Sequence, residues 1–553
     1  MREIQIRFGN KPGLAITCPA GTPVETLVDH FGPMDGGLAA AKVNNEILSL
    51  TAELDVNAVL EPVPLLSPEG MMIYRRSLAF LLAVAAWKRF PRRSLYVGHS
   101  LGNSYYYTFA DEKQPRPEEL EALREEMTAL VGENLPITQE YMAYEDALEL
   151  FKGNNQTDTG LLLEHRNESK VRVNECAGFV DLHIEPLVYR SGMLSAFDIM
   201  AYQAGFLLRF PGIGGGLRID PFEDHPKIFT VYSEYKKGGR IIGVHAVGHL
   251  NRLTADRTVR DYIKIAEAFQ TKKLTEIANT IYAGQESVKV ILIAGPSSSG
   301  KTTTAKRLSI ELKVMGLEPI AIGLDDYYLG TDKTPKNEKG EPDFECLEAL
   351  DVPYLNEQLL ALFAGEEVEI PIFDFKSGKR RETGRRIRLG RRTMLIMEGI
   401  HGLNDALTPQ ITREKKFKLY VSALTQLNLD DHNRIPTSDN RLLRRMVRDS
   451  QFRGNNAAGT IKMWPSVQQG ERKHIFPFQN GADAAFNSAL DYELAVLKFY
   501  AEPLLRSVKP NMPEYAEAAR LLAFLENFAP IPPQYVPGQS ILREFIGDSE
   551  FKY

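Results

Sequence analysis

The spacing of apolar positions changes several times along this chain, and each change marks an element. Ile4, Ile6 and Phe8 alternate with polar neighbours as in a half-buried strand, and Leu14-Ala15-Ile16 supplies a hairpin partner. Thr22-Pro23-Val24-Glu25 carries the N-cap, N1 proline and N3 acid of a helix start. Ala40 to Val43 and Glu46 to Leu50 flank an Asn44-Asn45 turn. These elements predict a small β-grasp domain over residues 1–62. Much later, Val288 to Ala294 is a continuous apolar run, the pattern of a parallel strand buried on both faces. Ala305, Leu308, Leu312 and Met315 then form one stripe of a helix that Gly316 is placed to end. Pro319 to Leu324, Thr393 to Met397 and Lys416 to Ser422 repeat the strand pattern, so residues 288–495 predict an α/β domain built on a parallel sheet.

Between these parts lie residues 63–255, and Thr258 to Tyr282 reads as the helix of a linker over 256–287, with Ile263, Ala266, Ala268, Ile277 and Ile281 apolar. Residues 496–553 read as a helical extension, with a helix over Tyr515 to Phe528, a turn at Pro530 to Pro533 and the segment Ser540 to Ile546. Docking onto the core or a partner subunit is its expected role. The whole is a multidomain chain of α+β and α/β parts.

The chemistry concentrates where the first buried strand ends. Gly295-Pro296-Ser297-Ser298-Ser299-Gly300-Lys301-Thr302 fits G-x-x-x-x-G-K-[ST] at every fixed position and stands between a strand and a helix, as that motif requires. Small residues let backbone N–H groups curl around a phosphate, and the helix N-terminus adds its positive dipole end. Lys301 reaches the outer phosphates and Thr302 can ligate Mg²⁺, with Thr303 next in the loop. Asp325 and Glu398 close two of the other strands, where open α/β sheets place their ligands. A carboxylate there can hold the metal or accept a proton from an attacking hydroxyl. The pattern predicts a nucleoside-triphosphate site with Mg²⁺.

Composition narrows the remaining choices. A net charge of −6 over 553 residues leaves no global basic field to recruit nucleic acid, and the three cysteines, far apart, form no disulfide framework or metal pair. That usage suits a reducing cytoplasm. The first residues lack a signal-type apolar core, and the longest apolar run, Leu78 to Trp87, is too short for a bilayer, so a cytosolic protein with no membrane contact is expected. A homo-oligomer is expected as well. Two further patterns read as plain structure. His245 and His249 stand four apart near an expected strand end at Gly248, with no nearby acid or cysteine in sequence, and read as a packed or solvated pair. Pro211 to Gly216 reads as a loop. The basic run Lys379-Arg380-Arg381, Arg385 to Arg388 and Arg391-Arg392 lacks interleaved aromatics and reads as an exposed hairpin.

Residues 288–495 resemble the uridine kinase/phosphoribulokinase family. The matching pieces are Gly295 to Thr302, Leu324 to Tyr328, Asp343-Phe344-Glu345 with Ala349-Leu350-Asp351, Ile370 to Phe375, Glu398-Gly399-Ile400, and Arg444 to Asp449 with Arg453-Gly454. The resemblance implies that Asp325 is the base receiving the 5′-hydroxyl proton beside the metal. It implies further that Tyr328 walls the nucleoside pocket, that Glu345 binds ribose hydroxyls where the family has an aspartate, and that Glu398 is a Mg²⁺ acid. Arg445, Arg448 and Arg453 match lid arginines that neutralise charge on the transferring phosphoryl group. Phe373 replaces a family tyrosine, and Gly378 replaces a base-reading histidine, with His401 the nearest substitute. Residues 1–62 resemble a TGS domain, and Ser67 to Leu82 resembles the entry to the editing domain of threonyl-tRNA synthetases. Of the zinc ligands that editing domain uses, the matching positions hold Arg76, Phe80, His183 and Leu187, so editing chemistry is expected to be absent.

The expectation is an ATP- and Mg²⁺-dependent kinase for the 5′-hydroxyl of a nucleoside, uridine or cytidine foremost. Two rivals are a kinase of another small hydroxyl substrate, such as a sugar phosphate, and an ATP-gated regulator that binds tRNA or ribosomes through the N-terminal domains.

Overall fold

The computed structural model describes residues 2–336, 340, 342–374 and 377–552. Phe375 of the motif pieces above lies outside them. At the N-terminus five strands form one mixed sheet in the order Ala15–Pro19, Glu3–Phe8, Ala58–Pro64, Leu38–Val43, Glu46–Leu48. Glu3–Phe8 pairs antiparallel with its hairpin partner and parallel with Ala58–Pro64, so the outer strands flank a central parallel pair. The expected helix start falls one residue late and the helix is of the tighter 3₁₀ kind, Val24–Phe31, because Thr22–Pro23 is drawn into a short bridge with Glu53–Leu54. It still presents Val24, Leu27 and Phe31 to the sheet.

The next part opens with the helix Pro68–Arg89, whose N-cap Ser67 accepts a 3.0 Å hydrogen bond from the Gly70 amide. The helix packs over an antiparallel sheet ordered Asp198–Tyr202, Gly205–Arg209, Ser104–Phe109, Leu95–Ser100. A separate antiparallel sheet joins Thr138–Ala143, Lys170–Cys176 and Phe179–Leu182. Where the synthetase family would hold zinc, Arg76 forms an ion pair with Glu185, and the His183 ring lies 2.9 Å from the Asn174 side-chain oxygen. The loop over Pro211 to Gly216 carries no strand or helix. Around the histidine pair, however, the expected strand is a helix: Val247–Ala255 contains His249, and His245 precedes it, because Ala246 is pinned in a bridge to Asn428.

The helix Val259–Ala283 leads into a five-stranded, wholly parallel sheet in the order Glu318–Gly323, Thr393–Glu398, Val290–Ala294, Lys416–Ser422, Ala484–Asn487. Every residue of Val290–Ala294 is buried, as its unbroken apolar run predicts for the middle strand. The basic run lies on the strand Lys379–Arg388, paired antiparallel with Glu367–Asp374 in a hairpin. Arg380 pairs with Asp351 at 2.8 Å, Arg386 with Glu367 at 3.7 Å, and Arg381 with Asp374. Acids brought in by the fold therefore answer much of its charge.

The halves of the chain are closely joined. The Asp431 carboxylate accepts the Thr159 amide at 2.9 Å and its hydroxyl at 3.0 Å, and the His432 ring lies 3.0 Å from Asp181. The C-terminal segment docks back onto the sheet domain, burying Ile541, Leu542, Phe545 and Ile546. Among the described residues no helix is long and apolar enough to cross a membrane.

Candidate active site

The phosphate-loop sequence builds a sharp turn at the carboxyl end of the middle strand. A Cβ on Gly295 would lie 1.9 Å from the Val421 carbonyl oxygen, so only glycine lets the chain leave the sheet there. Ser298 at φ 58° and Gly300 at φ 79° then swing the backbone so that Lys301 starts the helix Lys301–Val314. Lys301 folds back, its ammonium donating to the Gly295 and Pro296 carbonyls at 3.0 and 3.2 Å. Thr302 donates from its hydroxyl to Glu398 at 2.8 Å.

Strand order explains why these groups meet. Glu398 ends the strand beside Val290–Ala294, and Asp325 lies in the turn Leu324–Tyr327 that follows the next strand out. The three strand ends thus line one edge of the sheet. Burial raises the pKa of Asp325, the Lys301 ammonium opposes that rise, and Asp326 and Glu345 reinforce it. Burial likewise raises Glu398, with Lys301 and the Thr302 hydrogen bond opposing and Asp325 adding to the rise. Lys301 therefore lies within electrostatic reach of both acids. Asp326, by contrast, turns away and accepts the Phe373 amide at 3.3 Å.

Beside Asp325 stands an aromatic wall. Tyr328 meets Phe373 with ring centres 5.4 Å apart and Phe344 at 5.3 Å, and its hydroxyl donates to the Phe344 carbonyl at 3.0 Å. Glu345 packs against Gly470; desolvation by the protein crowded around it and the Glu471 charge raise its pKa, while Arg445 and Lys301 lower it. Gly378 sits in a turn at φ 64°, where a Cβ would be 2.2 Å from the Thr331 hydroxyl. A side chain there would strain the backbone and force the Thr331 side chain to shift, so glycine suits this turn. His401 is 2% exposed, with its ring 5.8 Å from that of His474; burial and that neighbour push its pKa down to about 4, keeping it neutral.

Arg445, Arg448 and Arg453, the arginines expected to act as a lid, converge on one buried acid, Asp449. Arg445 approaches it at 3.2 Å, Arg448 donates to it at 3.0 and 3.1 Å, and Arg453 stands 3.7 Å away. Arg445 also donates to the Ser297 hydroxyl at 2.8 Å, tying the helix Thr437–Phe452 to the phosphate loop.

Several residues here escaped the sequence reading. Arg441 forms a bidentate pair with Glu471 at 2.5 and 2.7 Å, and the same carboxylate accepts the Ser297 amide at 2.9 Å. Arg444 is fully buried; it donates to Glu493 at 2.5 and 2.9 Å and to the Ser298 carbonyl at 3.2 Å. A signal existed: Arg441, Arg444, Arg445 and Arg448 fall at i, i+3, i+4 and i+7, one face of a helix. Glu544 of the C-terminal segment is the third surprise. Its carboxylate accepts both the Thr303 amide at 3.1 Å and the Thr303 hydroxyl at 2.6 Å. Ile541 presses so close that a Cβ on Gly300 would lie 2.6 Å from it.

Residues 290–495 match the Phosphoribulokinase / Uridine kinase family. The N-terminal region matches curated threonine–tRNA ligases: that of Maridesulfovibrio salexigens is 34% identical over 170 residues, covering 31% of this chain and 26% of the relative. That of Acidithiobacillus ferrooxidans is 34% identical over 161 residues, covering 29% and 25%. The chain thus spans about a quarter of the length of these relatives. Among solved structures, one described as a possible uridine kinase from Bacillus stearothermophilus is 21% identical, covers 39% of this chain and 98% of its own, and has a TM-score of 0.25. D-glycerate 3-kinase from Cryptococcus neoformans is 16% identical, covers 46% and 87%, and has a TM-score of 0.21.

Proposed function

We propose, from the premise that residues 290–495 match the phosphoribulokinase and uridine kinase family, that this chain transfers the γ-phosphoryl group of ATP to the 5′-hydroxyl of a nucleoside. Uridine and cytidine are the first acceptors to test. One observation carries the reading: Lys301, Thr302, Asp325 and Glu398 gather at one sheet edge, with the Tyr328 ring beside Asp325 and the Phe373 ring packed against Tyr328.

In this reading the amides from Gly295 to Thr303 cradle the phosphates, and Lys301 leaves the two loop carbonyls for the outer ones. Mg²⁺ held by Thr302 and Glu398, with Asp325 beside it, would neutralise phosphate charge; one hydroxyl and two carboxylates are a donor set that suits it. Asp325 accepts the 5′-hydroxyl proton as the O5′–Pγ bond forms and the bond from Pγ to the bridging oxygen of ADP breaks. Its raised pKa makes it a stronger base, and the Lys301 charge works against that rise. Arg445, Arg448 and Arg453 turn from Asp449 toward the transferring group, where positioning and charge stabilisation do most of the work. Tyr328 and Phe373 wall the acceptor pocket and Glu345 binds its hydroxyls.

The test is ADP release from ATP or GTP across a panel of nucleosides and sugar phosphates. Turnover with a nucleoside supports the reading. Gly378 carries no base-reading side chain, which favours a second reading in which a sugar phosphate is the acceptor, and preference for one on the same panel would establish it. No turnover with any acceptor, together with ATP-dependent tRNA binding, would replace both with a regulatory role.

A further inference from the structure

His245 and His249 have no third donor near them in sequence, but the fold brings one from 87 residues away. Asp158, the second residue of the helix Thr157–Leu163, is 2% exposed, and its Oδ1 lies 3.2 Å from His245 Nε2 and 3.9 Å from His249 Nδ1. One ligand atom from each of the three residues falls within 4.8 Å of the others. Around an ion held tetrahedrally at ~2.0–2.1 Å, donors stand about 3.3 Å apart, so small adjustments suffice.

One polar atom of the cluster lacks a partner: Asp158 Oδ2 is buried with no hydrogen bond from any described residue. A buried carboxylate oxygen left without a donor is costly, and a cation reached by both oxygens of this carboxylate, Oδ1 facing the imidazoles and Oδ2 beside it, would satisfy it. The two imidazole side chains keep 34% and 22% of their surface exposed, which leaves an entry path from solvent. Two imidazoles with one carboxylate select a borderline transition ion over Mg²⁺ or Ca²⁺.

We propose that Asp158, His245 and His249 bind one divalent transition-metal ion of the Zn²⁺ type, leaving a fourth position open to solvent. The site is separate from the phosphate loop and from the positions where the synthetase family places zinc. It lies at the junction of the two halves of the chain. Ala246, between the histidines, bridges to Asn428, and Thr159, next to Asp158, holds Asp431. A bound ion would therefore brace that junction.

The probe is Zn²⁺ alone, titrated by calorimetry into the full chain after chelator treatment and dialysis. The expected result is about one ion per chain and a raised melting temperature. His245→Asn and Asp158→Asn should each weaken binding at least roughly tenfold, while His474→Asn should leave it unchanged. His245 is part-exposed, so its variant remains informative should the buried Asp158→Asn misfold; circular dichroism checks both. Absence of stoichiometric binding to the wild type, or equal binding by His245→Asn and wild type, would overturn the proposal.

Discussion

Glu544 holds the Thr303 donors that a bound triphosphate would need, so removing its carboxylate should tighten nucleotide binding. In the free protein that carboxylate accepts hydrogen bonds from the Thr303 amide and hydroxyl at 3.1 and 2.6 Å. Hydrogen bonds to a charged group contribute ~1.5–3 kcal/mol each, and both must break before a phosphate takes their place. Glu544 is only half-buried, and water compensates it once displaced. We therefore expect the equivalent of one such bond to be recovered in Glu544→Ala, a dissociation constant roughly 10–150-fold lower for ATP and ADP. Glu544→Gln, which loses the charge but keeps the shape, should fall between. Isothermal titration of the full chain measures this directly. A melting curve shows whether the segment stays docked, as the burial of Ile541, Leu542 and Phe545 leads us to expect. Equal or weaker nucleotide binding by Glu544→Ala in a folded protein would refute the competition.

Further consequences follow from the same geometry. Arg444→Met leaves Glu493 buried without its cation, so it should cost about 3–5 kcal/mol and lower the melting temperature by several degrees, whereas the pair Arg444→Met with Glu493→Leu should be much milder. Burial works against the charge on His432, but Asp181, with Asp431 and Asp430, pushes its pKa up to about 9. Its contribution to stability is thus fully present below about pH 6.5 and lost as pH rises through about 9, and melting curves from pH 6 to 10 should fall more steeply in the wild type than in His432→Asn. Because burial raises Asp325, kcat/KM should decline on the acid side at a pH above the ordinary carboxylate range, and Lys301→Met, by removing the opposing charge, should move that limb of the residual activity higher still.

What could be read from the sequence was local. The strand, turn and helix from Val290 to Val314 were legible because a buried parallel strand needs an unbroken apolar run, and the turn after it needs glycine at Gly295 and Gly300. Asp325 and Glu398 were legible for the same reason, as acids at strand ends. Contacts across the fold were not. Glu544 lies 241 positions from Thr303 and Glu471 lies 174 from Ser297, and no periodicity links them. Asp158 reaches the histidine pair only because helix packing brings them together, and the expected strand there gave way to a helix once Ala246 was pinned to Asn428. Arg444, polar and charged, is fully buried because Glu493 and the Ser298 carbonyl satisfy it, a pairing that composition cannot show.

The most direct test of the central claim compares wild type with Asp325→Asn, following ADP formation that depends on added nucleoside and, separately, ATP affinity. The account predicts that turnover is lost while ATP binding stays within a few-fold, since only the proton acceptor has gone. Normal turnover in Asp325→Asn would contradict it.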